Sequence, residues 1–263
     1  LVATMAADAC GGQNVWGISM PSMYSSLGSK DDACDLAKRL GAHYDIQPIE
    51  PLFKSFQNQL DLQGVAAENL QARVRGVIVM AYSNSKGLLA LATGNKSELA
   101  CGYSTIYGDA VGGYAPIKDL FKTRVWALSR WRNRAAQNGV GLGMLPIAGS
   151  EDFPKDNAPK DSILIPVNSI IKPPSAELRP GQKDSDSLPE YDLLDKVLEA
   201  HIELAHGRAD LLADGFDERT VDTVIRLVDR AEWKRRQYPL GPKVSAIAFG
   251  RDRRIPVTTA FRE

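Results

Sequence analysis

Short apolar runs with strand character alternate with longer stretches of helical periodicity along the first half of this sequence, and that alternation is its strongest constraint on fold. "LVATMAADACGG" reads as an amphipathic helix already under way at Leu1 and ending at Gly11-Gly12. Val15 to Met20 reads as a strand, and "SKDDACDLAKRLG" as a helix with Ser29 as N-cap, Asp31 and Asp32 at its positive end and Gly41 as its stop. "HYDIQPIEP" predicts a strand, "LFKSFQNQL" a short helix and "VAAENLQARVRGVIVMAYSNSKG" a long one, followed by "LLALAT" as a buried strand. Strands and helices in this rhythm predict an α/β fold: a doubly wound, mostly parallel sheet with flanking helices. Ligands in such sheets bind beyond the carboxyl ends of the strands, so the tract after Thr93 is the place to look for a site.

The second half is less regular. "KTRVWALSRWRNRAA" predicts a long helix, and residues 139 to 190 are rich in Gly, Pro, Ser and Asp and read as mobile loops. "EYDLLDKVLEAHIELA" and "DERTVDTVIRLVDRAEWKRRQ" are two further helices, and "FGRDRRIPVTTAFRE" reads as extended and basic. Hydrophobic residues make up 44% of the 263, enough for a sizeable core. Lys plus Arg and Asp plus Glu balance at 32 each, which argues against a nucleic-acid partner. No apolar run approaches the roughly 20 residues that span a bilayer, so no membrane association is expected. Cys10, Cys34 and Cys101 are odd in number and widely spaced, as in a reducing, cytoplasmic compartment.

The tract from Gly87 to Asp119 turns from apolar to small polar residues and isolated charges, a composition suited to wrapping a polar ligand. In "TGNKSEL" a helix N-terminus follows Thr93-Gly94, a natural place for anionic or ribose oxygens. Glu98 stands three residues after Asn95, so the two read as a capping pair, as a metal or ligand carboxylate with its neighbour, or as both. In "YGDAVGGYAPIKD", Gly108, Gly112 and Gly113 permit angles that a loop closing over a ligand needs, with Asp109 and Lys118 as its inward charges; an ordinary Gly-rich turn with solvated charges is the other reading. Lys122 begins the next helix and opposes its dipole, a local cost that hints at function. "ENLQARVRG" puts Asn69 and Arg73 on one helix face and Arg75 on another, either as a fork for a carboxylate or phosphate or as solvated surface. "KPPSAELRP" places Ser175 in a proline-stiffened loop, and Lys234, Arg235 and Arg236 read as a basic, solvated helix end. His43, His201 and His206 are scattered, His206 as a cap or surface group; no Ser-His-Asp or Cys-His arrangement and no GxxxxGK[ST] loop can be assembled.

Together "ENLQARVRG", "LATGNKSELACGYSTIYGD", "GGYAPIKDLFKTRVWALSRW", "PPSAELRPGQ" and "EWKRRQYP", in this order, resemble the synthetase domain of NAD synthetases. The spelling is similar to the glutamine-dependent branch, in which a nitrilase-like glutaminase domain feeds ammonia to the synthetase. The resemblance implies the adenine nucleotide alpha hydrolase-like fold of the N-type ATP pyrophosphatases and a ligase activity. ATP adenylylates deamido-NAD, pyrophosphate leaves, and ammonia, drawn from glutamine, displaces AMP. Carried over by residue, it implies that Thr93, Lys122 and Ser175 contact ATP and that Asn69, Arg73, Asp109 and Lys234 contact deamido-NAD. Glu98 stands where the family places Mg²⁺ or a substrate carboxylate. A homodimer or higher homo-oligomer is implied as well.

One departure bears on activity. The family's Ser-Gly-Gly-x-Asp-Ser loop precedes a helix that "LVATMAADACGG" resembles, and neither that loop nor the strand before it occurs in the sequence. The expectation is a truncated NAD synthetase domain over residues 1–263, with an upstream glutaminase domain, weak ATP binding and no turnover in the piece alone. Two other readings stand beside it: a non-catalytic nucleotide-binding module, and another pyrophosphatase-loop amidoligase such as a GMP or asparagine synthetase.

Overall fold

A computed structural model of the chain describes residues 1–144 and 163–258. It divides into two compact units, the first formed by Leu1–Leu62 with Trp126–Lys183 and the second by Gln63–Val125 with Asp184–Glu263.

In the first unit, α1 (Val2–Cys10) leads into β1 (Trp16–Ser19), α2 (Leu27–Leu40), β2 (His43–Ile46) and α3 (Glu50–Leu60). The two strands pair in parallel from Trp16↔His43 to Ser19↔Ile46. Parallel neighbours need a crossover of a dozen or more residues, and α2 supplies it. The helix starts earlier than the sequence suggests: its N-cap is Ser26, whose hydroxyl accepts from the Ser29 amide at 3.2 Å, so Ser29 lies inside the first turn. Gly41 closes it in the left-handed conformation at φ 61°, as expected. The greater part of α6 (Lys122–Gln137) and the short α7 (Asn168–Ile171) complete this unit. Arg132 of α6 is buried and makes a two-pronged bond to Asp8 of α1 through Nε and Nη2 at 2.9 and 2.8 Å, while Nη1 donates to the Val140 carbonyl and Nη2 also to that of Gly141. The Asn133 side chain accepts from and donates to the Ile165 backbone, both at 2.8 Å. Of the loop region 139–190, residues 145–162 lie outside the described residues; the described part is held by such bonds at Ile165 and again at Glu177, whose carboxylate takes Ser26, Ser29 and Lys172.

The second unit is built on α4 (Gly64–Lys86), α5 (Lys96–Cys101), the first residues of α6, α8 (Tyr191–Leu198), which runs on as a single π turn over Glu199–Glu203, then α9 (Arg208–Ala213), α10 (Glu218–Arg230) and α11 (Glu232–Arg235). Val221, Val224, Ile225 and Val228 recur at helical spacing along α10 and are buried, a stripe facing Leu194, Val197 and Leu198 of α8 in the core. Each such side chain contributes roughly 1.5–3 kcal/mol by leaving water. The segment expected as one helix from Asp217 onward breaks at Ala231, where the Ala231 amide turns back to the Val228 carbonyl and the Arg235 guanidinium takes that same carbonyl at 2.7 Å.

Two further sequence expectations fail in this unit. "LLALAT" is not a regular buried strand: one parallel bridge, Leu91↔Tyr114, joins it to the Gly-rich loop, Ala92 alone among 88–93 is buried, and Leu89 is exposed. The cause is the partner, a turn that offers only two ladder bonds, Ala92 N–H to Tyr114 O and Gly113 N–H to Ala90 O, both 2.9 Å. The described end of the chain is likewise not extended, because Asp252 caps the Ala248 amide and folds 248–253 into a tight turn closed by the Phe249↔Arg253 bridge. No helix of the described residues is long and apolar enough to cross a membrane.

Candidate ligand site in the second unit

Helix α5 is only six residues long, and its start carries the first half of the site. Asn95 is the N-cap, accepting from the Glu98 amide at 3.0 Å, while the Glu98 carboxylate accepts from the Asn95 amide at 3.0 Å, a reciprocal capping box. The capping role does not exhaust Glu98, since its other oxygen takes the Lys122 ammonium at 3.1 Å, with both side chains about four-fifths buried (19% exposed each). Lys122 is the first residue of α6, where an ammonium is unfavourable. Glu98 offsets that cost, and the face of the Tyr191 ring lies 5.2 Å away. The Tyr238 hydroxyl comes so near Gly94 that any Cβ there would sit 1.8 Å from it, so only glycine fits. Burial, with Glu98 and Asp109 nearby, holds the Tyr238 hydroxyl protonated well above the usual phenol range.

The second half is the loop from Gly102 to Asp109, held against α4. Asn69 and Arg73, one helical turn apart, both reach it: Asn69 Oδ1 accepts from the Thr105 hydroxyl at 2.8 Å, and Arg73 Nε donates to the Ile106 carbonyl at 3.3 Å. Gly108 packs against Ala72 with no room for a side chain, whereas Gly112 alone of the three loop glycines has a positive φ, 150°. The Asp109 carboxylate accepts from the Thr105 amide at 2.7 Å. Asp109 retains exposed surface, yet desolvation by the surrounding protein raises its pKa above the ordinary carboxylate value, with the Thr105 amide and Lys234 opposing the rise. Lys234 donates to the carbonyls of Gly102 and Ser104 at 2.6 and 2.7 Å, and partial burial lowers its pKa against the pull of Asp109. The Ser104 hydroxyl is buried without a hydrogen-bond partner among the described residues.

Beneath these groups lies a buried ionic scaffold that the sequence reading missed. Lys96 is 0% exposed, and its ammonium contacts Glu203 at 2.7 Å, Asp119 at 3.1 Å, the Ser245 hydroxyl at 2.6 Å and the Ile247 carbonyl at 2.7 Å, over the face of Phe121. Asp119 also takes the amides of Val244 and Ser245, each at 2.8 Å. Asp195 of α8 accepts from the Ser97 hydroxyl at 2.5 Å and the Thr123 amide at 2.8 Å, while Ser97 Oγ receives the Lys122 amide at 2.9 Å. The one signal in the sequence was a lysine directly after an N-cap, where a cation is disfavoured unless something else binds it.

Of the candidates, Asn69, Arg73, Glu98, Asp109, Lys122 and Lys234 thus belong to one unit, Glu98 and Lys122 as an ion pair at α5 and the other four around the Gly102–Asp109 loop. Thr93 is exposed beside Gly94. Ser175 belongs to the first unit, where its hydroxyl donates to Gln182 O at 2.6 Å and accepts from the Glu177 amide at 3.1 Å. The reading of Lys234 to Arg236 as a solvated helix end holds for the exposed Arg236 and fails at Arg235, which is 6% exposed, bonded to Ala100 O, Val228 O and Glu232, and stacked on Phe249. Carbonyls left open at α5 and α10 are what recruit it. Lys118 donates to Pro239 O at 2.7 Å. His206 pairs with Asp214 at 2.7 Å, ahead of α9. All three cysteines are free, and burial pushes the Cys101 thiol up to about 12. Among the described residues no group of three His, Cys, Asp or Glu side chains is placed to hold a metal ion.

The chain is similar to known proteins along its length. The sequence profile described as NAD synthase matches residues 1–238. The glutamine-dependent NAD(+) synthetase of Acinetobacter baylyi is 44% identical over 268 residues, covering 100% of this chain and 45% of that protein. The enzyme of the same name from Rhodobacter capsulatus is 46% identical, covering 100% of this chain and 46% of that protein. Among solved structures, a glutamine-dependent NAD+ synthetase from Acinetobacter baumannii in complex with ADP is 39% identical with a TM-score of 0.54, over 97% of this chain and 43% of that one. The NH3-dependent NAD synthetase from Campylobacter jejuni, in complex with the nitrate ion, is 25% identical with a TM-score of 0.60, over 86% of this chain and 77% of that one. The chain therefore has the α/β fold of these proteins, and it spans about half the length of the curated relatives it matches.

Proposed function

This chain belongs to the NAD synthase family, and from that membership we propose that it supplies the synthetase portion of a cytoplasmic ligase. That ligase uses ATP to convert deamido-NAD to NAD, with ammonia derived from glutamine. The observation that carries the reading is the largely buried ion pair of Lys122 with Glu98, together with the partly buried Lys234 ammonium and the Asp109 carboxylate, whose charges act on each other. Activating a carboxylate with a triphosphate gathers negative charge at the reacting phosphorus, and preorganised ammonium groups stabilise the charge that moves to the leaving pyrophosphate. Lys122 and Thr93 serve ATP in this reading, with Ser175. Asn69, Arg73, Asp109 and Lys234 orient deamido-NAD, and Glu98 holds Lys122 until ligand displaces it.

Mg²⁺ fits the donor set in the form in which it is bound by one or two carboxylates plus substrate phosphates. Glu98 is the residue that would hold it, and bound there it would neutralise phosphate charge. The chain's own residues then fix the pieces. The Asp195 clamp sets the spacing of Glu98 and Lys122, and the Asn69–Thr105 bond presents the Gly102–Asp109 loop. A homodimer or higher homo-oligomer is the expected assembly.

Thermal-shift titration tests the reading. Deamido-NAD with a non-hydrolysable ATP analogue should raise the melting temperature, xanthylate or aspartate should not, and Lys122→Ala should remove the nucleotide effect. Absence of any deamido-NAD effect would overturn the proposal; binding with no AMP release from the full-length protein would favour a nucleotide-binding module.

A further inference from the structure

One recess in the second unit lies outside the residues assigned to ATP and deamido-NAD. It has a volume of about 460 Å³ and is formed where the Tyr238–Lys243 segment meets the Ala248–Arg254 turn. That volume falls within the ~300–1,000 Å³ of small-molecule sites. Its wall carries six cationic side chains, Lys118, Arg235, Arg236, Lys243, Arg251 and Arg254, and one acid, Asp119.

The ionic accounts of this wall do not balance. Asp119 is consumed by Lys96 and by the Val244 and Ser245 amides. Glu232 serves both Arg235 and Arg236, and Asp252 serves Lys243 at 2.7 Å. Lys118, Arg251 and Arg254 make no ion pair within 4 Å among the described residues: Lys118 donates to Pro239 O and Arg254 to Gly250 O, and Asp119 and Asp252, already paired with Lys96 and Lys243, act on Lys118 and Arg251 only from farther away. Three cations facing one concavity repel each other, and a bound anion relieves that repulsion. Beside them Tyr238, Leu240 and Phe249 give the recess an apolar side, and Leu240 is 80% exposed.

We propose that this recess is a second anion site, taking a small molecule that joins a diphosphate group to an apolar ring. The diphosphate would lie against Lys118, Arg251 and Arg254, whose arginines can each grip two oxygens, and the ring against Leu240 and Tyr238. Tyr238 is shared with the other site, since its hydroxyl meets Gly94 there and its ring lies 5.7 Å from the Lys118 ammonium here. An occupant of the recess is therefore placed to influence Gly94 through one side chain.

Calorimetric titration of the chain with inorganic pyrophosphate and with ADP tests the site. Arg251→Glu/Arg254→Glu reverses two exposed charges, so pyrophosphate affinity should fall on the order of tenfold or more while the melting temperature holds. Lys122→Ala, in the other site, should leave a pyrophosphate-binding event intact. ADP should show two binding events in the wild type and one in the double arginine variant. Pyrophosphate binding that is unchanged in the arginine variant, or that vanishes in Lys122→Ala instead, overturns the second site. If the double variant does not fold, Arg251→Ala/Arg254→Ala carries the same expectation with a smaller drop. The deamido-NAD thermal shift of the double variant keeps the two readings distinguishable, because it should equal that of the wild type.

Discussion

Replacing Lys96 by methionine separates a structural charge from a catalytic one. The ammonium is fully buried, and its carboxylate partners Asp119 and Glu203 are 4% and 15% exposed. Removing one member of a buried ion pair costs ~3–5 kcal/mol, because the other member is left charged and unpaired. Here the lower end applies. Asp119 keeps the Val244 and Ser245 amides and the Ser245 hydroxyl, and Glu203 has some access to water. A loss near ~3 kcal/mol corresponds to a fall in melting temperature of ~6–12 °C for a chain of this size. Differential scanning calorimetry at neutral pH measures it directly. The compensated variant Lys96→Met/Asp119→Asn/Glu203→Gln should recover a large part of the loss, because it removes the stranded charges along with the cation. A single variant that melts within ~2 °C of the wild type, or a triple variant no better than the single, would refute the reasoning that this buried charge is held by its partners.

Three further outcomes follow from the geometry. Gly94→Ala places a Cβ 1.8 Å from the Tyr238 hydroxyl and should cost ~1–3 kcal/mol, partly restored by Tyr238→Phe in a double-mutant cycle read by denaturant unfolding. The carboxyl of Asp109 has a raised pKa in the folded chain, so the native state holds its proton more tightly than the unfolded state does; its ionisation destabilises the fold as pH rises from the unfolded value near ~3.9 through the folded one. Asp109→Asn should therefore gain stability relative to wild type across that interval and show no advantage below it, as urea titrations at several pH values would reveal. Thiol labelling at pH 8 should modify exposed Cys10 promptly and Cys101 only on unfolding, since burial holds the latter near a pKa of about 12.

What the sequence made legible was mostly local. Gly41 stops α2 in left-handed geometry, and Asn95 with Glu98 spells a capping box, because caps depend on residues three or four apart. The shared face of Asn69 and Arg73 was equally readable from helical spacing. Several of the failures are matters of distant partners. "LLALAT" has strand composition, but whether it forms a ladder depends on Gly113 and Tyr114, more than twenty residues on. Lys96 and Arg235 look like surface cations until Glu203, Ser245 and Ala100 are brought to them. Even at α2 the competition between Ser26 and Ser29 was decided by Glu177, whose carboxylate bonds both hydroxyls from far along the chain.

The Asp195 carboxylate has a consequence for anyone recombining such proteins. It receives the hydroxyl at the head of α5 and the amide at the head of α6, so Ser97, Thr123 and Asp195 must be inherited as a set. A chimera with a crossover between residues 123 and 195 would draw the two helix heads from one parent and their anchor from the other. Where the second parent has no carboxylate at that position, Glu98 and Lys122 would survive in the sequence yet drift apart in space, and the hybrid would fail although every residue assigned to a ligand was retained.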